Sequence, residues 1–137
     1  MATKVLDSWA LLAFLQDERA AEEVEKLLVK AAEDKHKLLL CVVNWGEIYY
    51  AIARAEGETI AEQKAADLAT LAIELVPVAD DLHLVRQAAK FKSSKKMAYA
   101  DCFAAALAKL RNAELLTGDP EFKEVESEVK IAWLPKN

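Results

Sequence analysis

Three acidic residues stand alone in long apolar runs. Asp7 is the only charge from Val5 to Leu15, Glu47 the only charge in the sixteen residues from Leu38 to Ala53, and Asp101 the only residue that is not apolar among the twelve from Met97 to Ala108. Runs of that composition are mostly buried, and a buried carboxylate without a partner either costs several kcal/mol or takes up a proton. Something must compensate each acid. For Asp101 a helical ion pair is excluded, because Met97, Ala98, Ala104 and Ala105 occupy the positions three and four residues away. Asp119, in Thr117-Gly118-Asp119-Pro120, has the composition of an ordinary turn and gains meaning only from where it falls. Brought together, four carboxylates raise one another's pKa and do not persist as bare anions. A donor set made only of oxygen selects a hard divalent ion, Mg²⁺ or Mn²⁺, over zinc or copper. Each acid also has an ordinary structural role open to it: Asp7 as a helix cap, Glu47 as a capping-box partner of Asn44, Asp119 as a turn residue.

The elements that must position these acids follow from hydrophobic spacing. Lys4 to Asp7, Leu38 to Val43, Glu74 to Val78, Glu114 to Thr117 and Lys130 to Leu134 read as strands. Between them, helices are predicted from about Trp9 to Asp17, over 20–35, from Asn44 as N-cap to Glu56 before Gly57, and from Thr59 as N-cap to Ile73. Further helices run from Asp80 or Asp81 to Phe91 and from Ala98 to Arg111, with the polar link Lys92 to Lys96 between them and a short helix after Pro120. Strands alternating with single helices or helix pairs mean a parallel sheet covered on both faces by right-handed crossovers, an α/β fold. Asp7 and Asp119 then lie at or just beyond the carboxyl ends of strands, where open parallel sheets bind ligands. Asp101 and Glu47 fall in first helical turns that can open toward the same rim.

Composition agrees. The 137 residues, 54% hydrophobic and 30% charged, suffice for one packed domain and exclude a disordered or low-complexity chain. Three Gly and three Pro are too few for the turns of a β-sandwich or barrel. A net charge of -5 disfavours indiscriminate nucleic-acid binding, so any such contact must be local. Cys41 and Cys102, both in apolar runs, suggest neither a disulfide framework nor a zinc knuckle. Neither a secretory leader nor a membrane span is indicated, which makes the cytoplasm the expected location.

Four motifs together carry a resemblance. Val5-Leu6-Asp7-Ser8, Asn44-Trp45-Gly46-Glu47-Ile48, Tyr99-Ala100-Asp101-Cys102-Phe103-Ala104-Ala105-Ala106 and Thr117-Gly118-Asp119-Pro120-Glu121-Phe122 occur in the order and spacing of a PIN domain. Within that family the chain resembles a VapC-type toxin of a toxin-antitoxin pair, over essentially its whole length. The resemblance implies a single PIN-like domain over residues 1–137, a three-layer α/β/α sandwich around a five-stranded parallel sheet. It implies Mg²⁺- or Mn²⁺-dependent endonucleolytic cleavage of RNA. The family's acidic quartet falls on Asp7, Glu47, Asp101 and Asp119, and its hydroxyl positions on Ser8 and Thr117. Partners implied are a cognate VapB-like antitoxin and a second copy of the chain in a homodimer. Bulky Trp9 and Trp45 beside two of the acids are departures from the family pattern. On this reading Asp7 and Asp101 touch the ion directly, while Glu47 and Asp119 ligate it or orient the water around it.

Phosphodiester hydrolysis needs an activated nucleophile and stabilised phosphoryl charge, both of which metal ions supply. No side chain is an obvious general base, and His36 and His83, in charged stretches, are expected at the surface. The densest basic segment, Lys90, Lys92, Lys95 and Lys96, is the candidate track for an RNA backbone, its alternative being a solvated loop. Leu12, Phe14, Trp45, Tyr49 and Tyr50 are candidates for core packing or for cover by a partner. A phosphatase reading lacks a second Asp two residues after Asp7, and a receiver domain lacks paired acids at the first strand's end. A catalytically weak PIN-like module that binds RNA or protein is the remaining alternative; its mark would be a lost acid, and none is lost.

Overall fold

Short apolar runs between charged borders become the strands, and their side chains divide strictly between two faces. In the computed structural model, which describes residues 1–137, β1 (Ala2–Leu6), β2 (His36–Cys41), β3 (Glu74–Val76), β4 (Glu114–Thr117) and β5 (Ile131–Trp133) form one parallel sheet in the order β3-β2-β1-β4-β5. Val5, Leu39, Cys41 and Leu115 enter one core, while Leu6, Leu38, Leu40 and Leu116 enter the other. That alternation is the two-residue period of a strand buried on both sides.

Helices cover each face. On the first lie α5 (His83–Ser94) and α6 (Tyr99–Leu110), whose Leu84, Phe91, Phe103 and Leu107 meet the sheet together with Phe122 of a 3-10 helix, Pro120–Val125. On the second lie α1 (Ser8–Leu15), α2 (Ala21–Ala32), α3 (Val42–Glu56) and α4 (Glu58–Ala69), contributing Leu11, Val24, Leu28, Ile48, Ile52 and Leu68. The expected three-layer α/β/α sandwich with five parallel strands is what the chain forms. At this scale burial is the main favourable term, at about 25 cal/mol per Å² of apolar surface removed from water.

Several boundaries differ from those expected. β2 starts at His36, because Ala2 of β1 pairs with it. His36 is therefore buried rather than at the surface, its Nε2 at 2.9 Å from the Leu27 carbonyl oxygen; His83 is exposed. α3 begins at Val42 with Cys41 in the N-cap position, so Asn44 is not a cap and Glu47 lies in the second turn. Gly57, not Thr59, precedes α4, which ends at Ala69 where the Thr70 hydroxyl donates to the Asp67 carbonyl. α5 continues through Ser94, so Lys92 belongs to a helix and the link shortens to four residues, Lys95 to Ala98.

The sheet order reverses between β1 and β4. Strands two and three extend to one side of β1, strands four and five to the other, and the crevice at the carboxyl ends of β1 and β4 is where such sheets place ligands. Leu6 is in register with Leu116, so Asp7 and Thr117 emerge side by side into that crevice.

Candidate metal centre

Asp7 leaves β1 and caps α1. Its Oδ1 accepts from the Ala10 amide at 2.9 Å, and its Oδ2 accepts from the Thr117 hydroxyl at 2.5 Å. The cap role open to it in the sequence and a place in the site thus coincide. Thr117 Oγ1 in turn accepts from the Asp119 amide at 3.0 Å, so one hydroxyl ties the two strand ends together. Asp119 Oδ1 accepts from the Glu121 amide at 2.9 Å, fixing the turn that opens the 3-10 helix.

Glu47 approaches from α3. Its Oε1 accepts from the Ser8 hydroxyl at 2.9 Å and from Asn44 Nδ2 at 3.1 Å. Asn44 Nδ2 also donates to the Ala100 carbonyl at 3.0 Å, linking α3 to the first turn of α6, where Asp101 sits. Asp101 is only 7% exposed, and no donor in the protein reaches its carboxylate.

Electrostatics show that the acids converge. Burial pushes Asp7 up to about 7, against the lowering pull of Thr117 and Ala10, with Asp119 and Glu47 raising it further. Burial likewise raises Asp101 to about 8, followed by repulsion from Glu47, Glu121, Asp119 and Asp7. No salt bridge involves any of these five acids. The chemistry of the set suits a hard divalent cation. All donors are oxygens, and Asp101, Asp119 and Glu121 each present one within 4.8 Å of the others.

A family model for the PIN domain matches residues 4–128. The chain belongs to the PIN domain family. Solved structures of similar fold include VapBC2 from Rickettsia felis, bound to a DNA fragment from its promoter, with a TM-score of 0.72, 13% identity, and coverage of 97% of this chain and 99% of that one. DNA-bound VapBC from Salmonella typhimurium has a TM-score of 0.71 and 13% identity, covering 96% and 98%. Mycobacterium tuberculosis VapC20, a toxin that cleaves the sarcin-ricin loop, has a TM-score of 0.66 and 15% identity, covering 89% and 93%. No curated protein matches by sequence.

Two residues of this PIN domain's acidic crevice escaped the sequence reading. Glu121 is followed by Lys123 and Glu124, so it carried no signal of isolation. Asn44 matched the composition of a helix start; its lack of exposure and its ties to Glu47 and Ala100 depend on α6, far away in the chain. The basic segment is less free than its sequence suggests. Lys95 pairs with Glu128 at 3.5 Å and Lys92 Nζ donates to the Met97 carbonyl, leaving Lys90 and Lys96 exposed without an ion pair. Of the apolar candidates, Leu12, Phe14, Trp45 and Tyr49 pack against the second core, and Tyr50 remains 51% exposed. No helix is long and apolar enough to cross a membrane.

Proposed function

We propose that residues 1–137 act as one PIN-like domain with Mg²⁺- or Mn²⁺-dependent endoribonuclease activity, the VapC-like toxin of a toxin-antitoxin pair. The observation that carries this is the arrival of Asp7, Glu47, Asp101 and Asp119, from four separate elements, at one crevice with no basic side chain to neutralise them. A bound divalent cation would activate water for attack and neutralise charge developing on the phosphate. Asp101 and Asp119 offer oxygens to hold it. Thr117 and the Ala10 amide orient Asp7, and Ser8 and Asn44 orient Glu47, so the carboxylates stay in place against their mutual repulsion. Lys90 and Lys96, with Lys92 and Lys95 beside them, are placed to follow an RNA backbone leading to α6.

A VapB-like antitoxin and a second copy of the chain are the proposed protein partners. Similarity in fold to VapBC complexes supports the first. So does an apolar cavity of about 360 Å³ beside Trp45, lined also by Leu40, Leu68, Ile73 and Leu75. Incubation of the purified chain with total RNA tests the enzyme. Fragments that appear with Mn²⁺ or Mg²⁺ and disappear with EDTA are expected, and intact RNA in every condition contradicts the reading. Metal-independent RNA binding without cleavage would instead favour the weak binding module.

A further inference from the structure

Trp9 is the second residue of α1, two places after Asp7 and next to Ser8. Its six-membered ring lies over Gly118, with Cη2, Cζ2 and Cζ3 at 2.2, 2.5 and 2.5 Å from the place a Cβ would occupy. Gly118 separates Thr117, which donates to Asp7, from Asp119, so the indole borders the acidic crevice. Part of the side chain packs against the second core, beside buried Ala10 and Leu11, and the rest is accessible. The three tryptophans differ in what satisfies them. Trp45 stacks on Tyr49 at 5.7 Å, and Trp133 Nε1 donates to Glu126 at 3.3 Å. Trp9 has neither an aromatic partner nor a hydrogen bond, and its Nε1 is open to solvent, because Asn44 Oδ1 is the one enclosed side-chain polar atom without a partner. A flat ring seated on backbone at the rim of a site, with its N–H free, is suited to stack on another flat group.

Electrostatics selects that group. Phosphates are repelled by Asp7, Glu47, Asp101, Asp119 and Glu121, none of which has a salt bridge, and gain attraction in the crevice only through a cation. A nucleobase carries no charge, and every base has a face that stacks on an aromatic side chain. We propose that Trp9 is a base-stacking residue, holding a nucleobase of the RNA beside the bond to be cut. The inference rests on the nuclease reading above and deepens it with a substrate contact outside the carboxylates. Lys90 and Lys96 lie on the α5–α6 side of the sheet and Trp9 on the α1 side, so a strand crossing the crevice meets cations on one flank and the indole on the other.

Two measurements test it. With Trp45→Phe and Trp133→Phe in place, Trp9 is the only indole, and its fluorescence is followed as a short oligoadenylate is added in Ca²⁺, a hard ion that takes the same oxygen donors. Saturable quenching is expected with oligoadenylate and none with inorganic polyphosphate, which has phosphates but no bases. In the second, total RNA is cut in Mn²⁺ by wild type, Trp9→Phe and Trp9→Leu, and kinetic constants and fragment-end sequences are compared. Trp9→Leu keeps apolar packing without a ring. It should raise the apparent KM roughly 5–150-fold, change kcat and Mn²⁺ affinity little, and erase the base preference at the cut, while Trp9→Phe retains much of both. Oligoadenylate held on a filter by the protein without quenching overturns the stacking role, whether or not Trp9→Leu folds. So does a Trp9→Leu protein that keeps KM and base preference, or one that loses only kcat and Mn²⁺ affinity, which marks the indole as a structural wall. RNA bound with quenching but never cut overturns the nuclease reading alone, and no RNA binding by folded wild type overturns both.

Discussion

Asp7 and Asp101 retain protons to about pH 7 and about 8 in the metal-free protein, where an ordinary carboxylate is fully ionised. A cation must compete with those protons, so Asp101 is the side chain whose neutral isostere is most informative. Asp101→Asn should remove RNA cleavage and weaken Mn²⁺ binding by at least roughly 10–100-fold, while leaving the metal-free protein folded, because the neutral amide matches the protonated carboxyl that the metal-free crevice holds. Cleavage assays and Mn²⁺ titration check this; unaltered cleavage would remove Asp101 from the site. At this scale the sequence was informative where a charge interrupted an apolar run, as at Asp7, Glu47 and Asp101. It was silent at Glu121, whose charged neighbours hid it, and at Asn44, where local composition favoured a cap but tertiary contacts made a strut.

Elements meet at the crevice through few contacts, and two can be tested separately. Gly118 lies flat beneath the Trp9 indole: a Cβ there would fall 2.2 Å from the ring. Gly118→Ala should therefore displace Trp9 from the β4–α1 junction and cost about 1–3 kcal/mol, visible as a lowered melting temperature. A wild-type melting curve would show that the indole yields freely. Asn44→Ala breaks the tie from α3 to α6, removing the Asn44 donor from the Ala100 carbonyl and leaving Glu47 with the Ser8 hydroxyl alone, at a cost of about 1–3 kcal/mol. All five strands and the helices between them were legible from period and from charged borders. Their ends were not. Pairing with Ala2 extended β2 back to His36, the Cys41 turn started α3 early, and the Ser93 and Ser94 hydroxyls, donating to the Lys90 carbonyl, sit at the extended end of α5. Long-range pairing and local hydrogen bonds decide boundaries, and neither is written in hydrophobic spacing.

The whole molecule feels the crevice through pH and salt. Because Asp7 and Asp101 have folded-state values raised above the unfolded ones, the folded protein binds more protons than the unfolded chain between roughly pH 4 and 8. Stability of the metal-free protein should therefore fall as pH rises through that window. Melts in EDTA at pH 5.5 and 8 check the sign, and a melting temperature that rises with pH contradicts it. Mn²⁺ should restore stability at pH 8 and do little at pH 5.5, since it binds the ionised acids. Charge reversal at Lys90 and Lys96 should lower RNA affinity and flatten its dependence on salt, because the chain's net charge of -5 leaves little else to attract a phosphate backbone. Unchanged affinity and slope would reduce the segment to a solvated one. Most direct of all is anomalous diffraction from crystals soaked in Mn²⁺ and measured at the manganese edge. A peak among the carboxylates at the carboxyl ends of β1 and β4 is expected. No peak there at saturating Mn²⁺, with the acids unmoved, would contradict the gathering of these side chains around a cation.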